Sequence, residues 1–173
     1  HAVEAISNRG KTGATADFTC FSFYATKNLT TGEGGMVTTA SDAWAEGLRI
    51  ASLHGMSQGA WSRYAGGSSP HYDVTMAGFK YNMMDLQAAI GLCQLDRIDE
   101  MHDRRTAIWR SYDEAFRSLP LTLPPPPERA TRHARHLYTV LVDEPLCGLS
   151  RDGFAERLME RGVATSVHFR ALH

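Results

Sequence analysis

Lys27 stands where an amine could attack a carbonyl. It follows an aromatic, β-prone run from Phe18 to Phe23 (Phe-Thr-Cys-Phe-Ser-Phe), past the carboxyl end of a strand. That is where open α/β sheets place ligand sites. Thr30-Thr31-Gly32-Glu33-Gly34-Gly35 comes next, and three glycines in four positions let backbone approach a ligand closely. An amine partly desolvated beside Phe21, Phe23 and Tyr24 could serve as a nucleophile. Ser22, five residues earlier, could donate its hydroxyl to a phosphate. The ordinary alternatives are a solvated surface lysine and a serine bonded to nearby backbone.

Other chemistries are disfavoured. G-x-x-x-x-G-K-[ST] is absent, and Gly32, Gly34 and Gly35 lack the spacing of a dinucleotide-binding G-x-G-x-x-G. No G-x-S-x-G elbow occurs. Of the eight histidines, His133 and His136 are three apart and His168 and His173 five apart, without H-E-x-x-H or a Cys/His pairing. No metal site is expected. Cys20, Cys93 and Cys147 are far apart and odd in number, which argues against a disulfide framework or zinc ribbon. Each reads as a small buried or half-buried apolar residue in a soluble, reducing, cytoplasmic setting.

The elements that must position Lys27 follow from periodicity. Met36 to Thr39 reads as a second strand. Ser41 or Asp42 can N-cap a helix carrying Trp44, Leu48, Ile50 and Leu53 and ending at His54-Gly55. Residues 56–80 read as a long loop, a length that is commonly functional or disordered. Asp85 can N-cap a helix from Leu86, with Leu86, Ala89, Ile90 and Cys93 on one face. Helical spacing then continues from Ile98 to Leu119, as one helix or two. Pro120 and Pro124 to Pro127 form a breaker and stiff linker. Beyond it, 136–142 and 163–169 read as strands around a helix capped by Ser150. This is α/β material in two parts.

The composition fits. The chain has 173 residues, 43% of them hydrophobic, and 18 Lys+Arg against 19 Asp+Glu for a net charge of −1. Near-neutral balance argues against nucleic acid or a membrane surface as partner. Asp96-Arg97 and Asp99-Glu100 before Arg104-Arg105 read as solvated helix faces. No run reaches the ~18–20 apolar residues of a membrane span. The ends, His1-Ala2-Val3 and Ala171-Leu172-His173, look cut.

Phe21-Ser22-Phe23-Tyr24-Ala25-Thr26-Lys27-Asn28-Leu29-Thr30-Thr31-Gly32-Glu33-Gly34-Gly35 closely resembles the Schiff-base lysine segment of the DegT/DnrJ/EryC1/StrS aminotransferases. Three further stretches are similar to that family and lie in its order. They are Leu53-His54-Gly55-Met56, then Gly78-Phe79-Lys80-Tyr81-Asn82-Met83-Met84-Asp85-Leu86-Gln87-Ala88-Ala89, then Val167-His168-Phe169 through Leu172-His173. The resemblance implies a three-layer α/β, aspartate-aminotransferase-like fold. Residues 1–119 would be the C-terminal part of the large cofactor-binding domain with the inter-domain helix, and 120–173 the beginning of the small domain.

The resemblance also implies roles. Lys27 would form the Schiff base with pyridoxal phosphate and move protons. Ser22 would bind the cofactor phosphate, and Asn82 would reach that phosphate from the neighbouring subunit of a homodimer. His1 would lie close to the cofactor ring. Glutamate would give the amino group and a nucleotide-linked keto-sugar would receive it. Tyr81, His168, Phe169 and the 56–80 loop are candidates for sugar contact, with a satisfied strand histidine as the alternative for His168. Relatives with His in place of the lysine dehydrate sugars instead, so Lys27 favours transamination. The alternatives are a non-catalytic cofactor-binding or dimerisation relative, and a dehydratase relative. Two departures stand out. The Asp that pairs with the pyridine nitrogen would fall upstream of His1, so this chain alone should hold the cofactor poorly. Ala171 stands where the closing motif usually has Pro.

Overall fold

A computed structural model describes residues 1–57, 72–169 and 172. The chain forms two compact units: residues 1–99 with 130–134, and residues 100–129 with 135–173.

The first unit holds the lysine. Its framework is an antiparallel pair, β3 (Thr19–Ser22) against β4 (Gly35–Thr38), in the register Phe21↔Met36 and Ser22↔Gly35. Before it lies a two-residue ribbon, β1 (Ile6–Ser7) with β2 (Gly10–Lys11). Strand alternation sends Phe21, Met36 and Thr38 to one face of the β3–β4 pair and Ser22 to the other. An apolar cavity of about 480 Å³ borders the Phe21 face, lined across from it by Ala88, Leu92 and Leu95.

Helix α1 (Asp42–Ser52) follows β4, and the Ser41 hydroxyl accepts from the Trp44 N–H at 3.3 Å. Its last carbonyls would otherwise be orphaned. The extended segment after the loop satisfies them: Phe79 N–H donates to Ala51 O at 2.7 Å, and Tyr81 N–H to Ser52 O at 2.8 Å. Helix α2 (Asp85–Asp96) and α3 (Ile98–Phe116) are separate, divided at Arg97. Residues 130–134 return to the first unit, where Arg132 and Ile6 exchange backbone hydrogen bonds of 2.8 and 3.0 Å.

The second unit gathers around aromatic rings. Trp109 of α3 is 6% exposed, and the Tyr138 ring meets it edge-on at 4.9 Å. Tyr112 meets the same tyrosine edge-on at 5.2 Å. A short pair, β5 (Leu121–Thr122) with β6 (Leu141–Val142), leads into α4 (Glu144–Cys147) and α5 (Arg151–Met159). Ser150 caps α5, its hydroxyl accepting from Gly153 N–H at 3.1 Å.

Tyr138 donates to Asp113 Oδ1 at 2.7 Å. Burial first, then the Asp113 carboxylate, push its phenol from 10 up to about 12. The folded form therefore holds the proton through a window in which an unfolded tyrosine loses it. This stabilisation is whole below pH 10 and is lost as pH rises to about 12. Urea unfolding across that window is expected to show wild-type stability falling more steeply than that of Tyr138→Phe.

Several expectations are corrected. α2 begins at Asp85 and is capped from Met84, because Gln87 reaches back to the Met84 N–H at 3.1 Å. The strand expected over 136–142 is only Leu141–Val142, and 163–169 forms none among the described residues. A strand needs a partner ladder, and among the described residues 164–169 make no backbone hydrogen bond to another segment. Cys20 and Cys93 are exposed rather than buried. Residues 58–71, most of the expected loop, lie outside the described residues, as do 170, 171 and 173.

Candidate active site

Lys27 lies on a loop whose ends are tied to each other. Phe23 N–H donates to Gly34 O at 2.8 Å, and Thr31 N–H returns to Phe23 O at 2.9 Å. Thr30 Oγ1 donates to the same Phe23 carbonyl at 3.2 Å. Thr31 is 4% exposed, and its hydroxyl donates to Glu33 O at 2.6 Å. The glycine-rich turn is therefore the closing stitch of the lysine loop.

Within the loop, Lys27 N–H donates to Tyr24 O at 2.9 Å. Tyr24 N–H donates to Ser22 Oγ at 3.4 Å. Ser22 and Lys27 thus hang from the two sides of one residue. The Lys27 Nζ stands 5.9 Å from the centre of the Tyr24 ring, and among the described residues it makes no ion pair.

The chain has three lysines, and they are not equivalent. Lys80 Nζ donates to Asn82 Oδ1 at 2.6 Å. Lys11 is exposed on the short ribbon. Lys27 alone is half-buried, past the end of the strand that carries Ser22. An amine without an ion-pair partner, on a loop closed by a glycine-dense turn, could hold an aldehyde carbon. The apolar cavity does not serve that purpose, since it borders the sheet face opposite Ser22.

The remaining expected residues are placed as follows. Asn82 is half-buried in the extended segment before α2 and is held by Lys80. Tyr81 is 74% exposed and stacks on Phe79, the ring centres 4.9 Å apart. His1 is exposed at the start of the first unit. His168 and Phe169 lie in the second unit, both exposed, their rings 3.7 Å apart. Ser22 and Lys27 are thus joined through the backbone of Tyr24, Asn82 is joined to Lys80, and Tyr81 to Phe79.

Sequence reasoning missed Gln87. Its Oε1 accepts from Met84 N–H at 3.1 Å, and its Nε2 donates to Glu33 O at 2.8 Å. One side chain thereby caps α2 and fastens that helix to the glycine turn. The available signal was a Gln three residues into a helix, the partner position of a capping box. Met84 at the first position hid it, because that box normally opens with Ser or Thr. Glu4 and Asn28 were missed as well.

The sequence profile of the DegT/DnrJ/EryC1/StrS aminotransferase family matches residues 1–173. This chain belongs to that family. The spore coat polysaccharide biosynthesis protein SpsC of Bacillus subtilis (strain 168) is 47% identical over 174 residues, covering all of this chain and 45% of SpsC. The chain thus spans less than half the length of that relative. Among solved structures, PseC of Helicobacter pylori, an aminotransferase of pseudoaminic acid biosynthesis, superposes with a TM-score of 0.85 at 27% identity, over 98% of this chain and 43% of PseC. The sugar aminotransferase candidate Spr1654 of Streptococcus pneumoniae, in its PLP form, gives 0.85 at 32% identity, over 99% of this chain and 43% of Spr1654. The α/β fold expected from the lysine segment is therefore that of the sugar aminotransferases.

Proposed function

We propose that this chain carries the lysine-bearing part of a pyridoxal-phosphate-dependent sugar aminotransferase. The observation that carries the reading is Lys27: the half-buried lysine of the three, on a stitched loop, in a family of aminotransferases. When bound, the cofactor supplies an aldehyde that an amine can hold and an electron sink for charge left at carbon.

Lys27 Nζ is the group that would hold that aldehyde carbon. With its amine free, Lys27 Nζ would take a proton from the α-carbon of the amino donor, glutamate in this reading. In the second half of the cycle it returns a proton to the carbon of a nucleotide-linked keto-sugar that receives the amine. The Ser22 hydroxyl, turned to the face away from the apolar cavity, would donate to the cofactor phosphate. Asn82 would reach the same phosphate of a neighbouring subunit, which would make the active unit a homodimer. His1 would face the cofactor ring, and Tyr81, His168 and Phe169 are the candidates for sugar contact. Residues 1–119 belong to the large domain and 120–173 to the small one. The reaction is cytoplasmic, in keeping with free thiols at Cys20, Cys93 and Cys147.

Mass spectrometry of products tests this reading. The full-length protein, pyridoxal phosphate, glutamate and a panel of nucleotide-linked keto-sugars are expected to yield an amino-sugar and 2-oxoglutarate. A deoxygenated sugar without amination would show a dehydratase instead. No product from any keto-sugar, in a protein that binds the cofactor, would show a non-catalytic relative.

A further inference from the structure

Glu4 is 3% exposed, which is unusual for a carboxylate. Its Oε1 accepts from Asn28 Nδ2 at 2.9 Å. The same Nδ2 donates its other hydrogen to Ala134 O at 2.8 Å. Asn28 is 8% exposed and directly follows Lys27. One buried amide therefore ties the lysine loop to the N-terminal segment, 24 residues away, and to the returning segment, 106 residues away.

A buried carboxylate is costly unless it is well bonded, and a plain apolar contact would close a core at less cost. This one lies at the residue adjoining Lys27. On the other side, Lys27 N–H is fixed to Tyr24 O at 2.9 Å. The lysine backbone is therefore pinned from both directions, and only the side chain remains to swing. An amine that must hold a carbon, leave it, and then reach protons on two partners needs a fixed pivot. Displacement of about 1 Å is enough to cost on the order of a hundredfold in rate.

We propose that Glu4 is a positioning residue for Lys27, acting through the side-chain amide of Asn28. This rests on the reading of Lys27 as the cofactor-holding residue.

The test uses the full-length protein in four forms beside wild type: Glu4→Leu, Glu4→Gln, Asn28→Ala and the Glu4→Leu/Asn28→Ala double. Leu removes the acceptor, whereas Gln keeps an oxygen that can accept from Asn28. The first readout is the rate at which apo-protein mixed with pyridoxal phosphate gains the visible band of the lysine-bound cofactor. The second is the split between kcat and the glutamate KM. Glu4→Leu and Asn28→Ala are each expected to lower both rates about 10–100-fold, with KM changed by no more than about twofold. Glu4→Gln is expected to restore both rates to near wild type. The double variant is expected to be no slower than the worse single, because Asn28→Ala already removes the link that Glu4→Leu cuts.

A Glu4→Leu protein with wild-type rates overturns the proposal. So does a Glu4→Gln protein as slow as Glu4→Leu, or a double whose losses multiply. If Glu4→Leu does not fold, Glu4→Gln and Asn28→Ala decide: slow Asn28→Ala beside near-normal Glu4→Gln supports the link, and any other pair of results overturns it. A wild type without the band sinks the aminotransferase reading itself. A wild type with the band beside indifferent variants sinks only the role of Glu4.

Discussion

Lys27→Ala is expected to abolish the visible band that pyridoxal phosphate produces on the full-length protein and to lower amination at least about 10³-fold. Two losses add in this one variant. In the proposed role, Lys27 would supply both the covalent hold on the cofactor and the group that moves protons between the donor carbon and the sugar carbon. General acid–base catalysis alone is worth about 10²–10⁴-fold. The other two lysines of this chain are placed differently. Lys80 is engaged with Asn82 at 2.6 Å, and Lys11 lies on the exposed ribbon. The fold should survive, because Lys27 contributes its backbone rather than its amine to the loop bonds. Absorbance titration and a keto-sugar amination assay check both parts. A variant with normal folding and full turnover would remove Lys27 from the chemistry.

Gly34→Ala is expected to cost about 2–4 kcal/mol of stability and to slow cofactor capture, through strain and crowding together. The residue has φ +149°, a conformation that L side chains rarely adopt. A Cβ there would lie 2.5 Å from Thr31 Oγ1 and 3.0 Å from Met83 Cε. Met83 has freedom to yield. Thr31 does not: it is 4% exposed, β-branched, and bonded through that oxygen to Glu33 O. Relief of the clash would therefore break the stitch that closes the lysine loop. Gly32→Ala is the control, since its φ of +79° is strained but nothing lies within 4 Å of its Cβ. It is expected to cost only about 1 kcal/mol. Urea unfolding of the two variants measures the difference, and equal losses would show that crowding at Thr31 plays no part.

The local part of the site was legible in the sequence. An aromatic strand, a lysine and a glycine-dense turn lie within eighteen residues, and their chemistry depends on local backbone. Ser41 and Ser150 were legible as caps for the same reason. What stayed hidden depends on distant partners. Nothing near Glu4 announces that it meets Asn28, and nothing near Asn28 announces Ala134. Gln87 is legible as a capping partner, but its second bond to Glu33 O crosses 54 residues. The expected strands at 136–142 and 163–169 failed likewise. Their β-branched and aromatic content satisfies propensity, yet a strand exists only where another supplies the ladder. Leu141–Val142 found one in Leu121–Thr122.

The most direct measurement is borohydride reduction of the full-length protein with pyridoxal phosphate, followed by mass spectrometry of its peptides. The three lysines of this chain fall at positions 11, 27 and 80, far enough apart for the label to be assigned. The label is expected on the peptide carrying Lys27, and this labelling should vanish in Lys27→Ala. A label on Lys11 or Lys80 instead, or labelling unchanged by Lys27→Ala, would contradict the central claim.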